Sequence, residues 1–288
     1  MAYPRELIEF LTRKAWQLRK HVIRMTCEAG SGHPGGSLSA ADIIAVLYFH
    51  VLRLNPQNPN WEDRDRFILS KGHACPIVYA ALAERGFFPV EELMTLRKVG
   101  SRLQGHPDMR KTPGIDMTSG SLGQGLSVGV GMALGARLMR KSFRVFVMLG
   151  DGEIQEGQVW EAAMAAGHHR LGNLKAILDY NKLQVDGFIK EIVDIEPVVD
   201  KWLAFNWAVR EIDGHNIEEI IAAFDWANSI RDKPCIIIAH TIKGKGVSFM
   251  ENVVEWHGKA PNPRQRDLAL KEIEEREAYE LARIQAVP

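Results

Sequence analysis

Phe143-Arg144-Val145-Phe146-Val147-Met148-Leu149-Gly150-Asp151-Gly152 is the stretch that decides the fold. Residues 143–149 are almost continuously apolar, as in a strand covered on both faces of a parallel sheet. Similar β-prone runs lie at 66–69, 174–179, 207–212 and 235–240. Apolar residues at helical spacing fill 124–141, 158–169 and 217–230 between them, with two further helical patterns, 7–25 and 39–52, ahead of the first. This alternation predicts a doubly wound, three-layer α/β/α fold on a parallel sheet.

Open parallel sheets bind ligands beyond the carboxyl ends of their strands, so the residues directly after each run carry the functional information. The run 66–69 leads into Ser70-Lys71-Gly72-His73, and 143–149 into Gly150-Asp151-Gly152. The run 174–179 leads into Tyr180-Asn181, and 235–240 into Thr241-Ile242-Lys243-Gly244-Lys245-Gly246. Four such ends predict one composite site. An aspartate between two glycines offers a carboxylate while the glycine N–H groups stay open to phosphate oxygens. Mg²⁺ is commonly held by one or two protein oxygens plus the phosphates of its ligand. Asn181, with 28 residues between it and the tripeptide, could supply an amide oxygen; an ordinary Asp-Gly turn is the plain alternative.

Ahead of the sheet, Gly30-Ser31-Gly32-His33-Pro34-Gly35-Gly36 holds five glycines or prolines in seven residues. It predicts a tight loop, either a plain interhelical turn or a place where backbone approaches a ligand. Ser39, three residues before Asp42, predicts a capping box on the helix that follows. Gly125, Gly129, Gly131 and Gly135 predict a close-packed helix face, against the sheet or against another protomer. Residues 259–288 are charged and carry a helical pattern over 268–284, giving a main domain at 1–258 and a peripheral C-terminal helix at 259–288.

With 288 residues and 46% apolar content the chain can bury a full core. Its 36 basic and 36 acidic residues cancel, so no overall field recruits nucleic acid or an anionic membrane. Cys27, Cys75 and Cys235 are widely spaced and suit a reducing compartment. Arg5, Glu6 and Glu9 interrupt any signal-peptide core, and the most apolar stretch, 126–136, is short of the roughly 20 residues a membrane span needs. A cytoplasmic location is expected. His33, His73, His106 and His257 could form a zinc site, but none has a histidine at i,i+4 spacing. The pair His168-His169 falls at a helix end, where imidazoles interact with the dipole.

The motif set resembles the N-terminal, thiamine diphosphate-binding domain of transketolases. Seven motifs carry the resemblance in family order: Ser31-Gly32-His33-Pro34-Gly35, Lys71-Gly72-His73, Gly105-His106-Pro107, the glycine-rich run from Ser119 to Gly125, Gly150-Asp151-Gly152 through Gln155-Glu156-Gly157, Asn181-Lys182-Leu183, and His257-Gly258. The resemblance implies that Asp151, Asn181 and the Leu183 carbonyl hold Mg²⁺, a role Ca²⁺ or Mn²⁺ can also fill, while Gly152 contacts the diphosphate. It implies His73 and His257 at the phosphates, Gly120 against the cofactor, and Leu122, Val185 and Ile242 around the thiazolium. His33, His106 and His257 are expected to face the sugar as catalytic groups, their pKa near working pH suiting proton transfer. Glu156, expected in catalytic and cofactor-binding roles, and Glu161 would lie at a subunit junction.

Family members activate the cofactor with a glutamate from a second α/β domain that residues 1–288 do not contain. The resemblance therefore implies one subunit of a two-component transketolase, an α₂β₂ assembly with a pyrimidine-binding partner, acting on sugar phosphates. The lysine-rich run Ile242-Lys243-Gly244-Lys245-Gly246 departs from the usual full-length pattern and keeps open a deoxyxylulose-phosphate synthase-like enzyme or a transketolase for an unusual sugar. A non-catalytic thiamine diphosphate-binding scaffold is the reading from another class.

Overall fold

The computed structural model describes residues 3–286; Met1, Ala2, Val287 and Pro288, at the ends of the two expected ranges, lie outside it. Five strands, β1 (Arg66–Leu69), β2 (Val145–Gly150), β3 (Leu174–Tyr180), β4 (Ala208–Asp213) and β5 (Cys235–His240), form one sheet in the order β1-β2-β3-β5-β4. Every pairing is parallel. The helices are α1 (Arg5–Ala29), α2 (Pro34–Ser39), α3 (Ala41–Val46), α4 (Cys75–Glu84), α5 (Gln124–Leu138), α6 (Gly157–His168), α7 (Ile189–Ile192), α8 (Val198–Ala204), α9 (Ile217–Ser229) and α10 (Pro263–Ala286).

Strand alternation sorts the core into two layers. Phe146 and Met148 point to one face, where they pack with α1, α3, α4 and α9. Val145, Val147 and Leu149 point to the other, with α5, α6 and α8. All six residues of β2 are buried, which is why the run carries no polar side chain. Burying each such side chain is worth roughly 1.5–3 kcal/mol. The α/β/α sandwich is the expected one, and the strands fall within a residue or two of the expected runs. No helix among the described residues is long and apolar enough to cross a membrane.

The segment before the sheet differs from its sequence reading. Gly30 closes α1 in the left-handed conformation at φ 60° and donates its N–H to Cys27 O. Pro34 then opens α2, so Pro34, Gly35 and Gly36 are helical rather than part of a loop. A Cβ at Gly35 would lie 2.8 Å from the Trp256 carbonyl, so the glycine allows the close approach of another backbone. The capping box does not form. Ser39 Oγ donates to Asp179 Oδ2 at 2.6 Å, and the Asp42 carboxylate takes the Arg19 guanidinium through bonds of 2.9 and 2.6 Å. Buried, charge-assisted partners from distant elements win over a local backbone N–H. The expected helix 39–52 is instead α3 followed by a π-helical turn, Leu47–Val51.

The glycines of α5 divide between two tasks. A Cβ at Gly125 would sit 2.3 Å from Ser70 Oγ and one at Gly129 2.6 Å from Val147 Cγ2, so these two let the helix lie on the sheet. Gly131 and Gly135 have nothing within 4 Å of that position and face outward. At the far end of the chain, α10 lies along α1, burying Ala269 and Ile273 and pairing Glu277 with Lys20 at 2.6 Å.

Candidate cofactor and metal site

The register places Gly150 beside Asp179, and Asp179 beside Ala239, so the carboxyl ends of β2, β3 and β5 finish level, with β1 alongside. Beyond them lies a cleft of about 270 Å³ lined by Asp151, Gly152, Asn181, Leu183, Lys243 and His257 among others. Asp151 is 3% exposed. Its Oδ1 accepts from the Gly152 N–H at 2.8 Å and its Oδ2 from the Lys182 N–H. Lys182 adopts a left-handed φ of 66°, which folds the chain after β3 back over the aspartate. Asn181 Oδ1 accepts from the Leu183 N–H at 3.1 Å, while its Nδ2 donates to Asp179 Oδ2 at 3.3 Å. A carboxylate, an amide oxygen and a main-chain carbonyl thus gather around one turn of chain. That all-oxygen set suits Mg²⁺.

Four buried charges surround it. Lys71, 2% exposed, forms an ion pair with the fully buried Asp179 and donates to Gly36 O at 2.8 Å. Asp179 also takes Ser39 Oγ and Thr241 Oγ1. Burial would raise the Asp179 carboxyl, yet the Lys71 ammonium holds it below its ordinary value. Lys243, also 2% exposed, donates to the Leu183 carbonyl at 2.6 Å and contacts His257 Nδ1 at 2.7 Å. Burial, followed by the Asp179 carboxylate, pushes Asp151 up to about 7, and burial pulls Lys243 down to about 8. Glu153, raised by burial, accepts from Ser70 Oγ and from the N–H groups of Gly123 and Gly150, both at 2.9 Å. It ties three motif loops together.

The imidazoles of His33, His73 and His257 pack against one another with centroids 5.1–5.7 Å apart. Among the described residues no group of three or more His, Cys, Asp or Glu side chains converges as metal ligands would. Burial, reinforced by Arg97 and His106, takes His33 down to about 4, and burial with Lys243 and His33 takes His257 down to about 3. Burial and Lys71 carry His73 well below its ordinary value, and burial with Arg97 lowers His106. Burial thus shifts all four rings toward the neutral form, below the ordinary imidazole value from which the sequence reading argued. His33 Nδ1 and Ser119 Oγ, in two of the motif loops, are buried without a hydrogen-bond partner.

The remaining expected residues divide by place. Leu122, 37% exposed, and Val185, 57% exposed, stand on the cleft with Glu156. Ile242 lies just behind it, its N–H held by His215 Nε2 at 2.8 Å. Gly120 comes against the His106 ring, which opens onto a wider groove beside Arg97. Glu161 does not line the cleft; it is exposed on α6. His168 closes α6, with His169 as its C-cap.

The family description "Transketolase, thiamine diphosphate binding domain" matches residues 12–274. The chain belongs to the transketolase family. It is 48% identical to the 6-deoxy-6-sulfo-D-fructose transketolase subunit SqwG of Clostridium sp. (strain MSTE9), across 92% of this chain and 96% of that protein. It is 41% identical to an apulose-4-phosphate transketolase subunit of Phocaeicola vulgatus, across 93% and 95%. The transketolase of Leishmania mexicana superposes with a TM-score of 0.84 at 28% identity, covering 96% of this chain and 46% of that one.

For a transketolase-family cleft, sequence pattern passes over the residues that hold it in shape. Lys71 stands inside one motif and Lys243 inside the lysine-rich run, two and three residues past the ends of β1 and β5, with no evident role in the sequence. Asp179 shows in the sequence only as the end of a β-run. Its signal is a charged residue within a mostly apolar, fully buried strand, which Lys175 on the same strand also gives for a different reason: Lys175 Nζ donates to Ile230 O at 2.9 Å and caps α9.

Proposed function

We propose that this chain is the diphosphate-binding subunit of a two-component transketolase, moving a two-carbon ketol unit from a ketose phosphate or related anionic ketose to an aldose. Within it, residues 1–258 would make up the diphosphate-binding body and 259–288 the appended segment that carries α10. The observation that carries the proposal is the gathering of Asp151, Asn181 and the Leu183 carbonyl beside Gly152 and a cluster of neutral imidazoles. Asp151, Asn181 and Leu183 would hold Mg²⁺; Gly152, His73 and His257 would bind the diphosphate; Leu122, Val185 and Ile242 would flank the thiazolium. Thiamine diphosphate supplies the electron sink for cleaving the bond next to a ketose carbonyl. His33 and His106, both shifted toward the neutral form, would bind the sugar's hydroxyls and hold their protons.

Support for a complementary subunit comes from the two bacterial relatives, which are named as subunits and match over 95–96% of their own length. Val185 on the cleft, with Phe188, Ile192 and Val193 exposed on the segment that follows it, suits contact with the second half of the site. Gly131 and Gly135, with exposed Leu138, Met139 and Met164 and the carboxylates Glu156 and Glu161, suit contact between two copies, giving α₂β₂. These relatives are named for a sulfonated and a phosphorylated sugar, so a panel of ketose donors with pyruvate beside them assigns the substrate. Asp151→Ala is expected to abolish Mg²⁺-dependent cofactor binding in the assembled enzyme. Unchanged affinity there sinks the site assignment.

A further inference from the structure

Behind the cleft, on the side away from the ligand, lies a second buried charged assembly that the proposed chemistry does not use. Arg19 on α1 is 1% exposed and grips Asp42 on α3 with both terminal nitrogens, at 2.9 and 2.6 Å. Asp42 Oδ2 also meets Nδ1 of His215, from the β4–α9 turn, at 2.7 Å. The other ring nitrogen, Nε2, accepts the Ile242 N–H at 2.8 Å. An acceptor at Nε2 requires the proton at Nδ1, so His215 donates to Asp42 and its tautomer is set. Arg19 has a further contact: its Nε donates to the Lys245 carbonyl at 3.2 Å.

The two bonds fall on either end of one turn. His215 holds residue 242 and Arg19 holds residue 245, while Gly244 N–H donates to Gly35 O at 3.0 Å between them. Gly246 closes the turn at φ 99°, where a Cβ would stand 2.9 Å from the Trp16 ring and 3.1 Å from Arg19 Cδ. The residue presented by this braced turn is Lys243, whose ammonium reaches the Leu183 carbonyl and His257. Trp16, Arg19, Asp42 and His215 also line a cavity of about 370 Å³ under α10, so the assembly is reached from outside without passing through the cleft.

The geometry points to Arg19, Asp42 and His215 as a positioning device for the cofactor site: a clamp on the 242–245 turn that fixes where the Lys243 ammonium stands relative to the metal-ligating carbonyl of Leu183. None of the three touches the ligand, so they are positioning residues, and the inference rests on the proposed cofactor site. Burial would raise the Asp42 carboxyl, but the Arg19 charge and the His215 bond carry it far below its usual range.

Two measurements test it. Hydrogen exchange over residues 241–246 in the cofactor-free full chain needs no ligand. Loss of one buried bond predicts exchange about tenfold faster in His215→Ala. In His215→Gln, whose Oε1 can still accept the Ile242 N–H, exchange stays near the parent rate. Thiamine diphosphate affinity in the assembled enzyme with Mg²⁺ is expected to weaken about tenfold in His215→Ala and to recover in His215→Gln. In a Lys243→Met background His215→Ala should add no more than about twofold, because the two act through one ammonium. Exchange within about twofold of the parent in His215→Ala, or full additivity with Lys243→Met, overturns the clamp. A parent enzyme that binds no cofactor would overturn the proposed site instead, with the exchange comparison still deciding whether the turn is held.

Discussion

Replacing Lys71 by methionine tests the electrostatic design of the cleft. Lys71 is 2% exposed and Asp179 is fully buried, so neither charge has water as an alternative partner. Methionine keeps most of the side-chain volume and leaves Asp179 with Ser39 Oγ, Thr241 Oγ1 and Asn181 Nδ2 but no countercharge. Removing one member of a buried pair typically costs about 3–5 kcal/mol. At roughly 2–4 °C per kcal/mol for a large domain, the melting temperature should fall by about 10 °C. Asp179→Asn removes the stranded charge while keeping an acceptor, so Lys71→Met with Asp179→Asn should recover to within about 2 kcal/mol of the parent. Urea unfolding followed by circular dichroism on the four chains gives the cycle. A Lys71→Met chain within about 1 kcal/mol of the parent, or a double variant no better than the single, refutes the view that this pair is a compensated buried charge.

The glycines of α5 give an opposed pair of outcomes. Gly129→Ala, whose Cβ would lie 2.6 Å from Val147 Cγ2, should lose about 1–3 kcal/mol in urea unfolding, whereas Gly131→Ala should gain up to about 1 kcal/mol; equal effects would contradict the two-faced helix. Glu84 predicts a pH dependence. Its bond to His21, with burial opposing and Lys14 assisting, depresses it from 4.5 to about 2. A depressed carboxyl contributes stability that is complete above its unfolded value and disappears as pH falls through the folded one. The stability gap between the parent and Glu84→Gln should therefore be largest near about pH 6, at most about 3 kcal/mol, and close by about pH 2. A gap independent of pH over that window would remove Glu84 as the source.

The sheet is legible in the sequence because burial on both faces leaves a one-dimensional trace: uninterrupted apolar residues at 145–149 and 235–239, succeeded at once by glycine or a functional side chain. Asp151 and Asn181 are legible for the same reason, since each directly follows a strand end and the sheet's register does the rest, whereas the Leu183 carbonyl comes only from the family resemblance. The segment 30–52 is not legible. Glycine and proline mark where a chain can turn, but Pro34 is as good a first residue of a helix as a loop residue, and only the approach of the Trp256 carbonyl shows why Gly35 is there. Ser39 and Asp42 have the spacing of a cap, yet their partners are Asp179, Arg19 and His215, up to 173 residues away. Local pattern holds no record of a contact made that far along the chain.

That distance also explains how an electrically neutral chain can build a strongly charged site. The 36 basic and 36 acidic residues cancel in total, but Asp151, Asp179, Lys71 and Lys243 are concentrated in one water-poor pocket where each needs the others. Before any ligand arrives Lys71 is committed to Asp179 and Lys243 rests on the carbonyl of Leu183. A divalent cation between Asp151, Asn181 and Leu183 would displace the Lys243 ammonium from that carbonyl and leave it free to meet negative charge. On the proposed reading that charge is the diphosphate, so metal and diphosphate would each make room for the other. The turn that carries Lys243 must then be stiff enough to hold the ammonium in place in the empty site and yet let the side chain alone move. A backbone clamped at residues 242 and 245, with a long flexible side chain between the two clamps, satisfies both demands.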